Sequence, residues 1–237
     1  MSIFEGTLKL EKIEDVARDT KKFIFSVANT SPLSSGNFSF LAGQFLSLQF
    51  TETAWRAYSI ASSPVEKNIE LIVRYVADGT ASRIFWHAKK GDIFPFKGPF
   101  GKFLLSSHPD ASLVFCGTGT GIAPLRSMIL TEKKRKNPRP MMLLYGGRDK
   151  DDIAYLDEIS EWSPKLKIHL GFSRTLPTKK LQARAELCRI TKFLEEGMWN
   201  ENHEFYICGN GDMVKSVVEL LKSKGISEEN VFMERFN

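Results

Sequence analysis

The chain has 237 residues, a net charge of +5, 42% hydrophobic residues and 26% charged residues. This is the composition of a soluble globular protein rather than a disordered or fibrous one, and no apolar run approaches the roughly 18 residues that a membrane span needs. Cys116, Cys188 and Cys208 are far apart and odd in number, which excludes a disulfide framework, a C-x-x-C metal centre and a four-thiolate iron–sulfur cluster.

The opening "MSIFEGTLKLEKIEDV" places charges where a signal peptide carries its apolar core, so a cytoplasmic, metal-free protein is expected. From Thr7 to about Lys102 the chain reads as short strands: "GTLKLEKI", "KKFIFSV", "QFLSLQF", "AYSIAS", "IELIVRYV" and "DIFPFKGP". They are rich in β-branched and aromatic residues, several with period-two alternation. Turn-forming clusters such as "NTSPLSSGN" and "SSPVEKN" separate them. The pattern predicts an antiparallel barrel or sandwich, with one short helix around "ASRIFWHA".

After "SSHPDAS" the pattern changes. "SLVFC", "MMLLYG", "KIHLGF", "FYIC" and "VFMERF" read as buried strands alternating with helical segments. In "MVKSVVELLKSKG", Val214, Val217, Val218 and Leu221 share one helix face, with Asp212 expected to cap the start and Gly225 the end. "DDIAYLDEISEW" opens with acids and aligns Ile153, Leu156 and Ile159, as a helix would. Strand–helix alternation predicts a parallel sheet with helices on both faces, and a junction near Ser106–Ala111. The basic run "EKKRKNPR" has no interleaved aromatics and reads as a solvated helix end, not a nucleic-acid surface.

The first strand of this second half leads directly into "GTGTGIAPLRSM". Its glycines fall in the first strand-to-helix turn, at the carboxyl end of the sheet, where open α/β domains bind ligands. Glycine there either lets the backbone approach a phosphate at a positive helix end or only makes the turn tight. The Rossmann fingerprint G-x-G-x-x-G is not completed, because Ile122 and Pro124 follow Gly119 and Gly121.

"RAYSIASSP", "GTGTGIAP" and "YICGNGDM" occur in that order over nearly the whole chain. In this the chain resembles the ferredoxin–NADP reductase superfamily, whose members join a flavin-binding β-barrel to a nicotinamide-binding α/β domain. The resemblance implies an FAD-binding barrel over residues 1–106 and an NAD(P)-binding domain over residues 107–237. On the flavin side it implies Arg56 at the pyrophosphate, with Ala57 in the same motif, Tyr58 against the ribityl or ring region, and Ser59 hydrogen-bonded to the reactive ring edge. Val73, Arg74 and Tyr75 would contact the flavin chain, and Gly79, Thr80, Ala81 and Ser82 would meet the pyrophosphate at a helix start. Thr120 would lie at the flavin–nicotinamide contact. Phe236 would stack on the flavin, where plant-type relatives have tyrosine.

For the nucleotide, the resemblance implies Gly119, Thr120 and Gly121 in the loop and Cys208, Gly209 and Met213 in a C-G-x-x-x-M segment beside the nicotinamide. Ser173 and Arg174 match the pair that holds the 2′-phosphate in NADP-dependent relatives, with Arg148, Lys179, Lys180 and Arg184 adding charge. Ser59, Cys208 and Glu234 would serve the hydride step, Glu234 linking Ser59 to solvent protons. The function implied is an FAD-dependent oxidoreductase, active as a monomer, preferring NADPH over NADH. It would pass electrons to a separate carrier such as ferredoxin or flavodoxin, with neither nucleic acid nor membrane as a partner. Two other readings stay open: a reductase using free flavin as substrate, and a non-catalytic redox-sensing or interaction subunit.

Overall fold

The computed structural model describes residues 3–32, 37–162, 166–178 and 181–236. It divides into two compact units, Met1–Leu105 with Arg126–Lys133, and Ser106–Leu125 with Lys134–Asn237.

The first unit contains β1 (Phe4–Ala17), β2 (Thr20–Pro32), β3 (Phe45–Gln49), β4 (Trp55–Ser59), β5 (Ile69–Arg74), α1 (Thr80–His87) and β6 (Ile93–Phe100). Alternation dictates the inner face: Leu8 and Leu10 of β1 and Phe23 and Phe25 of β2 are fully buried, while Lys9 between the first pair is exposed and Ile24 between the second is half-buried. The strands pair antiparallel in the order β4-β3-β6-β1-β2-β5. An Ile60–Leu71 bridge joins the two ends of that order, so the sheet closes into the expected barrel. Phe85 of α1 enters its interior, stacked on Phe94 at 5.2 Å and tilted against Phe23 at 4.6 Å. Each such buried side chain stabilises the fold by about 1.5–3 kcal/mol.

On the outside of the hairpin, Glu14 is paired with Lys12 and Lys22. Hydrogen bonds from Lys12 and then Lys22 pull its pKa down to about 2. A depressed carboxylate stabilises the fold above its ordinary range and loses that contribution as pH falls through the folded value. Glu14→Gln is therefore expected to lower the urea midpoint at pH 7, and the gap from the parent should shrink as the pH is lowered towards 2.

The stretch Arg126–Lys133 groups with the barrel, a return crossing that one cut between residues 106 and 107 leaves out. Its side chains grip the chain just after β4. Arg126 donates to the Ala61 carbonyl at 2.8 Å and pairs with the Glu70 carboxylate at 3.2 Å. Ser127 donates to the Ser62 carbonyl at 2.6 Å, and the Ser63 and Thr131 hydroxyls lie 3.2 Å apart.

The second unit contains β7 (Ser112–Thr118), the first turn of α2 (Ile122–Lys133), β8 (Met141–Gly147), α3 (Leu156–Glu161), β9 (Leu166–Phe172), β10 (Arg184–Glu186), α4 (Ile190–Glu196), β11 (His203–Asn210), α5 (Gly211–Ser223) and β12 (Val231–Phe236). Its strands run in the order β10-β9-β8-β7-β11-β12, and every pair is parallel. One sheet face packs Val114, Cys116 and Ile207 against Phe193, Val214, Val217 and Leu221 of α4 and α5. The other face meets α2, whose Leu125 lies close over Gly117.

Two local expectations are corrected. The "DDIAYLDEISEW" segment is not one helix: Tyr155 has φ 61°, separating a 3-10 turn at Lys150–Asp152 from α3. Asp149 and the Tyr145 hydroxyl accept the Asp151 and Ala154 amides, so these donors need no helical partner. The cap of α5 is Asn210, which accepts from Asp212 and Met213; Asp212 sits in the first turn. The strand β10 and the helix α4 carry too little periodicity to be read in sequence. No helix among the described residues is long and apolar enough to cross a membrane.

Candidate functional site

In the first unit, β4 and β5 are bridged only at Ile60–Leu71, although each is fully paired on its other side. The outward edge of β4 from Arg56 to Tyr58 thus has no strand paired along it, as an extended ligand requires. Arg56 and Ala57 are exposed, as are Arg74 and Tyr75 on and after β5. Arg56 folds back to donate to the Trp55 carbonyl at 2.9 Å. The Tyr58 ring stands edge-on to Phe85 at 5.2 Å, and burial raises its phenol pKa to about 12. It therefore remains a protonated donor. Tyr75 lies 5.1 Å from Trp86. Ser59 is buried at the end of β4.

One expectation here changes: the Val73 side chain is 3% exposed and belongs to the barrel core. Only its main chain is left to meet a ligand.

The start of α1 completes this region. Gly79 is the N-cap without a side-chain cap, and no acid lies in the first turn. The amides of Thr80 and Ala81 are orphan donors at a positive helix end, which suits a phosphate. Ser82 does something other than expected. Its hydroxyl donates to the Val76 carbonyl at 2.8 Å and accepts the Val76 amide at 3.1 Å, which folds the preceding turn back onto the helix. A Cβ on Gly79 would come within 2.8 Å of that hydroxyl. Exposed guanidinium, open strand edge and uncapped helix together fit a dinucleotide's diphosphate.

In the second unit the strand order reverses at β7, with β8 on one side and β11 on the other, which is where such sheets bind ligands. The two turns at that point are packed through glycine. Gly121 abuts the Cys208 carbonyl so closely that a Cβ would collide with it, and a Cβ on Gly209 would come within 2.5 Å of the Thr118 hydroxyl. Gly119 has φ +55° and open space where a side chain would be. Tyr145 holds this loop from below: its buried hydroxyl donates to the Gly119 carbonyl at 2.8 Å. Thr120 is half-buried in the turn, and no acid lies in the first turn of α2. The α5 start is less suited to an anion, because Asn210 already caps it and Asp212 adds negative charge.

Cys208 is fully buried, opposite Gly117 in β7 and Glu234 in β12. Burial pushes its thiol pKa well up, so the sulfur is a neutral packing group and not a nucleophile. Met213, Glu234 and Phe236 are half-buried, and Phe236 pairs with Asn210 across β11–β12.

The adenosine end would fall beyond β8 and β9. There the Gly147 and Arg148 carbonyls accept the amides of Ser173 at 3.0 Å and Arg174 at 2.8 Å, so the two loops form one corner with both side chains exposed. The other cations behave differently. Arg148 is held by Asp152 through two contacts, at 2.5 and 2.8 Å. Arg184 is engaged by Glu186 and Glu196 and lies over the Phe193 ring. Lys179 and Lys180 lie outside the described residues.

Sequence reasoning passed over Arg126, Asp152, Tyr145 and Asn210. Two carried a readable signal. Arg126 interrupts the apolar stripe of Ile122, Leu125 and Ile129, which indicates a buried partner, and Arg148 and Asp152 have helical i, i+4 spacing.

Two family descriptions match: an oxidoreductase FAD-binding domain over residues 7–104 and an oxidoreductase NAD-binding domain over residues 115–219. The F subunit of the Na(+)-translocating NADH-quinone reductase of Neisseria meningitidis serogroup B is 32% identical over 209 residues, 78% of this chain and 50% of that protein. Its Haemophilus influenzae counterpart is 32% identical over 198 residues, 76% of this chain and 48% of that protein. The chain thus spans about half the length of the curated relatives it matches. Among solved structures, the Amycolatopsis cytochrome P450 reductase GcoB has a TM-score of 0.83 at 27% identity, covering 99% of this chain and 70% of that one. A Neisseria gonorrhoeae ferredoxin NADP+ reductase with bound FAD and NADP shares the fold, with a TM-score of 0.79 at 23% identity and 98% coverage of both chains.

Proposed function

Because the chain belongs to the ferredoxin–NADP reductase superfamily of FAD- and NAD-binding oxidoreductases, we propose that it oxidises NADPH in preference to NADH and delivers the electrons singly to a small acidic carrier of ferredoxin or flavodoxin type. Residues 1–106 would hold the flavin and residues 107–237 the nicotinamide nucleotide. The observation that carries this reading is the glycine contact at the switch point, Gly121 against Cys208–Gly209. It leaves a wall of bare backbone where a flat ring would lie. FAD, when bound, supplies a two-electron acceptor that can release electrons one at a time.

The chain's own residues do the rest. Arg56, Ala57, Arg74 and Tyr75, with the α1 amides of Thr80 and Ala81, would hold the flavin's diphosphate arm. Ser82 and Gly79 shape that helix start, Tyr58 and Phe236 would pack on the flavin, and Val73 would offer its main chain. Ser59 would hydrogen-bond the reactive edge, with Glu234 supplying its proton connection. Gly119, Thr120 and Gly121 would admit the nicotinamide beside Gly209 and Met213, and Cys208 would pack beneath it. Ser173 and Arg174 would hold the 2′-phosphate, with Lys179 and Lys180 as added charge and Arg184 as a scaffold. The net charge of +5 supports an acidic partner.

A second reading takes NADH as the donor. It is favoured by the neutralised Arg148 and by the NADH-quinone reductase components among the relatives. Anaerobic titration with each nucleotide, followed in the visible spectrum, decides between them. A purified protein without flavin absorbance overturns the retained-FAD reading in favour of a free-flavin reductase. Arg174→Ala is expected to lower kcat/KM for NADPH about 10-fold, equivalent to ~1.4 kcal/mol, and to spare NADH; equal losses for both would remove Arg174 from phosphate recognition.

A further inference from the structure

We infer that Asp152 sets the nucleotide preference by holding the Arg148 guanidinium away from the 2′-phosphate, an inference resting on the reading that the corner beyond β8 and β9 faces that phosphate. The Arg148–Asp152 contact is a fork on a carboxylate: Nε to Oδ2 at 2.5 Å and Nη2 to Oδ1 at 2.8 Å. Oδ2 also accepts the Arg148 amide at 3.0 Å. The Asp152 side chain is only 15% exposed against 37% for Arg148, so the pair is partly sheltered and its attraction less screened than at an open surface. The Nε–Nη2 edge of the guanidinium, one that a phosphate would use, is already occupied by a carboxylate.

The surrounding charge points the same way. Residues 148–152 read Arg-Asp-Lys-Asp-Asp, two cations against three carboxylates, so the segment as a whole does not attract a dianion. Arg184 is held by Glu186 and Glu196. Unlike Arg148 and Arg184, Arg174 has no ion pair to a carboxylate among the described residues, and its amide is fixed by the Arg148 carbonyl at 2.8 Å. Asp152 thus does two separable things. It anchors the turn that presents Arg174, through the Arg148 amide, and it cancels the charge of Arg148.

Asp152→Asn separates them, because an asparagine oxygen still accepts the amide while the negative charge is gone. The probes are adenosine 2′,5′-bisphosphate and 5′-AMP, titrated calorimetrically into the full-length protein, so that the readout is binding and not turnover. Asp152→Asn is expected to tighten the bisphosphate about 10-fold, the size of one added charge-assisted hydrogen bond, and to leave 5′-AMP within about twofold. Arg148→Ala in the Asp152→Asn background should abolish the gain, and Asp152→Glu, which keeps the charge, should show none. Unchanged bisphosphate affinity in a folded Asp152→Asn protein overturns the inference, as does an equal change for both probes. If Arg174→Ala removes the bisphosphate's advantage while Asp152→Asn does nothing, the role of Asp152 alone falls. If neither substitution moves the ratio of the two probes, the underlying reading of the corner falls with it.

Discussion

Replacing Arg126 with alanine is expected to lower stability by about 3–5 kcal/mol, the usual loss when one partner of a buried ion pair is removed. The Arg126 and Glu70 side chains are 8% and 11% exposed, so the surviving carboxylate would have little access to water. The guanidinium also satisfies the Ala61 carbonyl, two residues beyond Ser59, and the Glu70 carbonyl accepts the Ala61 amide at 2.8 Å. Losing Arg126 therefore loosens the place where the barrel closes. For a chain of this size the midpoint of thermal unfolding should fall by roughly 6–20 °C. The double variant Arg126→Leu with Glu70→Leu should lose much less, because no isolated charge is left. A double variant as unstable as the single one would show that the loss is one of packing volume and not of charge.

Gly121→Ala is expected to slow nucleotide-driven flavin reduction about 100-fold, the scale of a 1 Å misplacement of reacting groups, while leaving the flavin bound. The added methyl would collide with the Cys208 carbonyl and lie 2.6 Å from the Gly209 Cα. Neither can yield easily, because Cys208 is paired with Gly117 on one side and Glu234 on the other. The glycine loop would have to move instead. Overpacking of this kind typically costs about 1–3 kcal/mol. Gly119→Ala is the control: a side chain there meets open space, so only the strain of φ +55° remains. Stopped-flow reduction within threefold of the parent in Gly121→Ala would remove the loop from nucleotide presentation.

The architecture and its family were legible because their signals are local. Alternation along "GTLKLEKI" reports which side of a strand is buried, and Leu8 and Leu10 are fully buried as that alternation requires. Three motifs in fixed order placed the chain in its superfamily. Local pattern also misled in places. The acids and apolar spacing of "DDIAYLDEISEW" satisfied the helix rule, yet Tyr145, ten residues before Tyr155 and on another element, takes the Ala154 amide and the segment breaks.

What a cationic or nucleophilic residue has available is set by what reaches it through space. By itself the sequence determined the two kinds of domain, the glycine turn at the head of the parallel sheet and the residues available to grip a dinucleotide. Only the tertiary structure decided that Arg184 is engaged by Glu186 and Glu196, that Arg148 is held by Asp152, that Val73 and Cys208 are buried, and that Arg126 anchors its helix segment to Glu70. Periodicity follows from the backbone geometry of each element and is written into neighbouring residues. The pairing of charges and the desolvation of a thiol depend on groups brought together from distant parts of the chain, which no local pattern encodes.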